Sequence, residues 1–408
     1  SLLPSMLIMG ISFLLFVYAF ITFKKYYNII ESFIIMSVIA IPTSTISILG
    51  TSYSSLPLTW FNLLVLFTVV LIGIEGKIDK KYFFCAALFI AIEVVQVFFS
   101  INIFNAVKQC LMIVFFLLGF INTEYLKNYS AISIHCKILE YYIIGTLCMG
   151  IQIFLQRFYI LATGIQVGHY AVMAGRTAYA GTMGDYSFAT LYLASGCLII
   201  LLGYLNTQKC KFATMVIGEV VLLASMIIVS ARTGLVALVI TVALYFLFDL
   251  QKINWKHLIL IVVGALNLPY IIEKMMAGRG GQTLLDSSGR IESYISALHF
   301  WTEKPIWGYG LGIENLKEQT GLGLPHNFII QYLVQIGIIG LLLILFPIII
   351  YAARTLKNAG FYKWLFWLLA IGAMFIPDIV SSRYLYGVLL ICATASKLFQ
   401  QTNDKETL

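Results

Sequence analysis

Charge is what this sequence has least of. Only 11% of its 408 residues are charged against 61% hydrophobic, and the mean hydropathy is +0.94. A soluble domain carries about a quarter charged residues, so one aqueous core cannot hide this much apolar side chain. That excludes a soluble enzyme and a disordered chain. Cysteine is sparse and scattered. The seven (Cys85, Cys110, Cys136, Cys148, Cys197, Cys210 and Cys392) are odd in number, and none pairs at metal-ligand spacing. Most lie in apolar blocks, where cysteine acts as a small hydrophobe, which excludes a disulfide scaffold and a zinc site. There is no internal repeat and no low-complexity segment.

What the chain does have is apolar blocks of 17 residues or more, the length a helix needs to cross ~30 Å of hydrocarbon. About thirteen are readable, near 2–23, 29–50, 57–74, 82–99, 101–121, 138–156, 187–205, 211–230, 233–249, 257–273, 326–353, 363–377 and 384–399. The first is too long for the core of a signal peptide and lacks a small-residue cleavage site, so it reads as a retained span. Two connections are long, 157–186 and 274–325. The expectation is an all-α polytopic integral membrane protein of about 12–13 transmembrane helices, with residues 1–408 as one transmembrane domain.

The formal net charge of +8 points to no nucleic acid partner, because the cations sit in short loops between spans. With both long loops on one side and the spans alternating, the other side receives 16 of the 26 cations, among them Lys24, Lys77, Lys81, Lys127, Lys211, Arg354 and Lys363. The positive-inside rule makes that side cytoplasmic and turns the long loops outward. Six of the seven arginines nevertheless fall outside: Arg157, Arg176, Arg232, Arg279, Arg290 and Arg383. Guanidinium grips phosphate or carboxylate at two points, so an anionic ligand at the outer boundary is one reading; snorkelling at helix ends is the other. Inside the spans, Glu93 and Lys108 lie equally far from a turn near Ser100–Ile101, and antiparallel helices would pair them. Glu219 lies deeper, without an obvious sequence partner.

Three segments carry candidate chemistry. Ser230-Ala231-Arg232-Thr233-Gly234 is the tip of a tight helical hairpin, where free N–H groups and the dipole favour an anion. In Asp286-Ser287-Ser288-Gly289-Arg290-Ile291-Glu292, helix-start residues precede Ile291, Ile295, Leu298 and Thr302 at helical spacing, which reads as an interfacial amphipathic helix. Arg290 sits in its first turn, where dipole logic prefers an acid; it either serves function or pairs with Asp286 or Glu292. Lys304-Pro305-Ile306-Trp307-Gly308-Tyr309-Gly310-Leu311-Gly312 is a permissive loop. Leu324-Pro325-His326-Asn327 then puts an imidazole at the head of a span, as a general base near neutral pH or as a plain hydrogen-bonding group. Trp301, Trp307, Tyr309, His169 and Tyr170 lie in outer loops, to stack on sugar rings or to form an interfacial aromatic belt.

The run from Arg290 through Pro305, Gly308, Gly310 and Gly312 to His326-Asn327, Gln331 and Gly337-Ile338-Ile339-Gly340 resembles the bacterial O-antigen ligase/polymerase family. That family includes the O-antigen ligases and many Wzy-type polysaccharide polymerases. Ser230-Ala231-Arg232-Thr233-Gly234 resembles its Ser-Arg-Gly hairpin. Arg176 with Gly181-Thr182-Met183-Gly184-Asp185-Tyr186 is a looser match to an Arg and Gly-rich segment ahead of a span. The likeness covers roughly residues 170–345. It departs at Gln335, where relatives often carry an acid, and at Asp185-Tyr186, where Pro-Asn is usual.

The resemblance implies a GT-C-like glycosyltransferase architecture, with amphipathic helices in a long extracytoplasmic loop. It implies transfer of a glycan from a polyprenyl-pyrophosphate donor (undecaprenyl pyrophosphate being the usual carrier) at the outer face of the bacterial cytoplasmic, or inner, membrane. Arg232, Arg290 and His326 become the catalytic candidates, and Arg176, Asp185, Trp307, Tyr309 and Asn327 the substrate-binding ones. Fixed cations suit a leaving group on which negative charge builds. No Asp-x-Asp pair or Cys/His cluster stands in the outer loops, so neither a metal nor a cofactor is required. The partners implied are a lipid-linked oligosaccharide, membrane lipid, a chain-length regulator and a flippase. The primary expectation is a polymerase that joins lipid-linked repeat units. A ligase acting on lipid A core or another acceptor is the near alternative, and a lipid-linked oligosaccharide flippase the distant one. Transporters tend to show repeats and midplane charges; here there is no repeat, and the cations gather at one face.

Overall fold

The structure is a computed structural model that describes residues 2–47, 50–51, 56–98, 100–173, 176–207, 211–249, 269–270, 273 and 289–406. Its helices are α1 (Leu2–Phe23), α2 (Ile29–Ile39), α3 (Trp60–Ile74), α4 (Lys80–Phe98), α5 (Ile103–Tyr129), α6 (Ser133–Thr163), α7 (Tyr186–Asn206), α8 (Phe212–Val229), α9 (Arg232–Phe248), α10 (Arg290–Glu303), α11 (Ile313–Thr320), α12 (Phe328–Thr355), α13 (Lys363–Ala373) and α14 (Arg383–Glu406). Among the described residues α4 to α8 and α12 are long and apolar enough to cross a membrane, and shorter apolar helices accompany them. The chain is an all-α polytopic membrane protein.

Sequence-derived spans and helices agree closely, with three instructive differences. The block 29–50 reads as one span, yet α2 ends at Ile39. Pro42 follows and cannot donate a helical hydrogen bond, and the chain turns into a small antiparallel pair, β1 (Ile46–Ser47) with β2 (Gly50–Thr51). The long connection after 156 begins as helix, because α6 runs on to Thr163. It then forms an antiparallel hairpin of β3 (His169–Met173) and β4 (Arg176–Gly181). The apolar block 257–273, apart from residues 269, 270 and 273, and the stretch 274–288 with Arg279 and Asp286, lie outside the described residues.

The chain packs as two compact units. The first comprises residues 1–141, 289–363 and 373–408. Here α5 packs on α3, α4 and α14, and α12 packs on α4. Tyr82 stacks on Phe120 with centroids 5.3 Å apart. The buried Asn122 amide donates to Thr68 Oγ1 (2.8 Å) and Tyr386 Oη (3.0 Å), tying α3, α5 and α14 together. In lipid, where apolar burial alone does not drive helices together, such bonds and close packing supply cohesion. One end of this unit is cationic: Lys77 pairs with Glu75 (2.8 Å), and Lys127 donates to the Arg354 carbonyl (3.0 Å). The other end carries the α4–α5 turn, α10 and α11. There Asn315 accepts from Asn102 N at 2.6 Å and donates back to Asn102 O at 3.2 Å, seating α11 on the turn. Arg383, expected among the exposed arginines, is buried at the head of α14 with Nη2 3.3 Å from Met112 Sδ.

The pairing expected between Glu93 and Lys108 does not form. Both Glu93 carboxylate oxygens are buried without a hydrogen-bond partner, and the electrostatic partner of Lys108 is Glu314. The reason is α11, which the sequence did not announce; packed on α5, it offers Lys108 a carboxylate nearer water.

The second unit comprises residues 142–288 and 364–372. Its centre is α7, almost wholly buried and packed on α8 and α9. Small residues along α7 let its neighbours approach, and Ser195 Oγ lies 2.7 Å from Tyr142 Oη of α6. Glu219 on α8 is hydrogen-bonded to Cys197 on α7.

One irregularity organises the first unit. α12 is broken at Gly337 (φ 63°, ψ −169°). A helix broken at membrane depth needs its freed backbone groups paired inside the protein. The 304–312 loop supplies them: Ile338 N donates to Pro305 O (2.9 Å), Tyr309 N to Val334 O (2.9 Å) and Gly310 N to Gln335 O (2.7 Å). At this approach a methyl group on Gly337 would overlap the Ile306 carbonyl, and one on Gly308 (φ 69°) would overlap the Gln335 backbone. The glycines of the two motifs thus hold each other. Gly337→Ala should lower stability by about 2 kcal/mol or more through left-handed strain and overlap together. Thermal unfolding of the detergent-solubilised protein would show a lowered Tm, and an unchanged Tm would contradict this role.

Candidate functional site

In the first unit α10 packs on α12 so that their N-terminal ends meet. Tyr294, one turn into α10, donates its phenol to the His326 backbone carbonyl at 2.7 Å. Arg290 is the first residue of α10 and half-buried. Burial pushes the Tyr294 phenol above its ordinary value, and the nearby Arg290 cation pulls it partly back. Arg290, Tyr294, His326 and Asn327 therefore share one corner. His326 itself is exposed. Among the described residues no carboxylate, Glu292 included, forms an ion pair with Arg290. Tyr294 was not singled out in the sequence, although its place four residues after Arg290 puts both on one helical face.

Two of the three helices headed by arginine share a feature. α10 follows Gly289 and α9 follows Ala231, and neither N-terminus has a side-chain cap. The starts of α7 and α12 are capped: Asp185 accepts from Phe188 N (2.9 Å) and Asn327 from Ile329 N (3.0 Å) and Ile330 N (3.2 Å). An uncapped N-terminus with an arginine at its first position offers an anion both N–H donors and a fixed cation.

Asn327 and Asp185, two of the substrate-binding candidates, cap helix starts. The Asn327 amide also reaches Met374 O at 3.4 Å. Tyr309 is buried; its phenol donates to Glu303 Oε2 (2.7 Å), and Lys304 Nζ lies 4.3 Å from its ring centroid. One ring face is thereby covered. Trp307 is 53% exposed. Tyr309 packs with Ala297, Leu316 and Val334 in a small core shared by α10, α11 and α12, and Trp301 lies against it.

In the second unit Arg232 is half-buried at the hairpin tip, where Ser230 takes a left-handed turn (φ 61°). Gly234 N donates to Thr190 Oγ1 (3.2 Å) and Thr233 Oγ1 to Ser187 Oγ (3.4 Å), which sets the head of α9 against the head of α7. Arg176 opens β4, and β4 packs on α7 and α8. Two amides of α6 clamp the hairpin. Gln156 donates to Val167 O (2.7 Å) and His169 O (2.9 Å) and accepts from Gly181 N (2.9 Å); Gln152 accepts from Thr182 Oγ1 (3.0 Å). Their signal in the sequence is two glutamines four apart in an otherwise apolar span.

In the first unit the uncapped start of α10 thus carries an arginine in the same corner as an exposed imidazole. Residues 217–345, which include Arg232, Arg290, Trp307, Tyr309, His326 and Asn327, match the family model described as O-antigen ligase. Through this segment the chain is similar to the O-antigen ligase/polymerase family, whose members are glycosyltransferase-like enzymes. Arg176 and Asp185 fall outside the match. No curated protein matches the chain.

The capping role of Asn327 has a direct test. Asn327→Ala should cost about 1 kcal/mol, while Asn327→Asp, an equally good cap, should stay within a few tenths. Equal losses of Tm in both variants would argue against it. Tyr309 gives a pH signature. Burial, and then the bond to Glu303, push its phenol up to about 12 from an ordinary value near 10. The folded state therefore keeps a proton that the unfolded chain has lost. The stabilisation is complete below pH ~10 and disappears as pH rises through ~12. Alkaline unfolding should be steeper for wild type than for Tyr309→Phe in that window, and parallel curves would remove Tyr309 as the cause.

Proposed function

We propose that the protein is a polysaccharide polymerase of the O-antigen or capsule type. It transfers a glycan from a polyprenyl-diphosphate donor to a sugar hydroxyl of another lipid-linked repeat unit. The reaction lies at the outer face of the bacterial cytoplasmic membrane, since the cationic end of the first unit marks the cytoplasmic side. The observation that carries this reading is the corner where Arg290, at the uncapped head of α10, meets His326 through Tyr294, within the segment matched to the family.

In the step, the acceptor hydroxyl oxygen attacks the donor's anomeric carbon. The bond from that carbon to the phosphate oxygen breaks, and its electron pair leaves with the polyprenyl diphosphate. His326 takes the hydroxyl proton and passes it to solvent or to the diphosphate. Arg290 holds the diphosphate by a two-point contact, and its charge counts most as the leaving group becomes more negative. In the second unit Arg232 is assigned to phosphate binding, as the same kind of helix-start arginine, and Arg176 is a further candidate. Mature glycan passed to lipid A core would use the same donor chemistry, so the acceptor separates the two activities.

Arg290→Ala, His326→Ala and Arg232→Ala should each abolish product while the protein still inserts and unfolds cooperatively. Arg290→Lys, which keeps charge but loses the fork, should slow turnover by about tenfold or more. The assay is purified protein with one defined lipid-linked repeat unit and no other acceptor. A ladder of products supports polymerase; donor turnover only on adding lipid A core would mean ligase. Normal ladders from all three alanine variants would overturn the site.

A further inference from the structure

The loop that braces α12 also walls a cleft. With the last two turns of α4 it encloses about 480 Å³. The floor is apolar: Ala91, Ile92 and Val95, the last 57% exposed. Trp307 and Tyr309 form the facing wall. At the rim Lys304 is held in place, with Nζ 3.3 Å from Gln319 Oε1 and over the Tyr309 ring. Among the described residues no carboxylate pairs with this ammonium; the nearest in sequence, Glu303, is engaged by the Tyr309 phenol. The Gln96 side chain lines the cleft too, and neither its amide oxygen nor its nitrogen has a hydrogen-bond partner.

These features select the ligand's chemistry. A bare sugar would leave the α4 floor uncovered. A bare hydrocarbon would leave the buried Gln96 amide without a partner, which is costly, and the exposed Lys304 cation at the rim without an anion. An amphiphile with an apolar chain and a phosphate satisfies both. Nor is this the donor corner again. Lys304 follows the last residue of α10 and Arg290 is its first, so the two cations stand about 20 Å apart along a 14-residue helix.

We propose that this cleft seats the isoprenoid chain and phosphate of the acceptor, a second lipid-linked unit, while the donor's diphosphate lies at Arg290. The inference rests on the polymerase reading above. The attacking hydroxyl belongs to the end of the acceptor glycan far from its lipid. When that end is at His326, the acceptor's anchor is displaced by the length of its oligosaccharide, and a second anchoring point one helix-length from Arg290 suits that displacement.

The test uses the full chain in nanodiscs, with a synthetic acceptor carrying a diazirine in its isoprenoid chain and a donor carrying none. The acceptor should crosslink to peptides containing residues 91–96 and 304–310. Ala91→Trp, which fills the floor, and Lys304→Gln should each raise the acceptor KM about tenfold, with the donor KM within about twofold. Excess polyprenyl phosphate should compete with the crosslink, whereas phosphatidylglycerol should not. An unchanged acceptor KM in both variants, an equal rise in donor KM, or equal competition by phosphatidylglycerol would each overturn the proposal. If Ala91→Trp does not fold, Lys304→Gln and the crosslink map still decide. Crosslinking needs no turnover, so wild type that captures the acceptor in the cleft yet builds no ladder would refute the polymerase reading while sustaining the seat. Ladders without crosslinks there would do the reverse.

Discussion

In a bilayer a backbone amide has no water to turn to, so a break in a helix survives only where another part of the chain completes its hydrogen bonds. α12 breaks at Gly337, and three backbone bonds from the 304–312 loop close the break. Everything at this end of the first unit follows from that closure. It fixes the loop against α12, and with it the C-terminal end of α10. It leaves the first residues of α12 as a separate short helix headed by Asn327. With α10 lying along that piece, the heads of the two helices meet, and the Tyr294–His326 bond joins them.

The same closure divides labour among the polar residues. Asn327 and Asp185 belong to helix starts and set geometry; the Tyr309 phenol belongs to the small core beneath α10. What stands at the corner is a set suited to a phosphate: a head of α10 without a side-chain cap, a guanidinium and an imidazole. In the second unit the packing of α9 on α7 makes a comparable arrangement at Arg232, reached by a left-handed Ser230. Arginine at the first position of a helix is locally unfavourable, since the dipole there prefers an acid. A bound anion reverses the sign of that local preference, which is a physical reason for the arginines to stand where they do.

The spans were legible because period and length are strong signals when charge is scarce: α1, α3, α4, α7 to α9 and α12 fall within a few residues of the blocks read from composition, while α5 and α6 run on past theirs. The amphipathic α10 was legible from Ile291, Ile295 and Leu298 at helical spacing. The family likeness was legible from the ordered run of Arg290, the glycines and His326-Asn327. The role of those glycines was not. Gly308 and Gly337 are 29 positions apart, and nothing local announces that one fills the space the other vacates. The missing Glu93–Lys108 pair has the same origin: an even count from the turn treated two spans as isolated, and α11 changed the surroundings of Lys108.

The sequence alone determined the solvent. With so little charge and such long apolar runs, the chain had to become a set of membrane helices, and the residues capable of holding phosphate had to lie at their ends, because only there is a charge affordable in hydrocarbon. Only the tertiary structure decided which of those ends meet. The 304–312 loop is fixed on α12 by backbone hydrogen bonds that carry no side-chain signature, and only then does the Tyr294 phenol join the Arg290 end to His326, so no pattern of residue types along the chain could reveal the meeting.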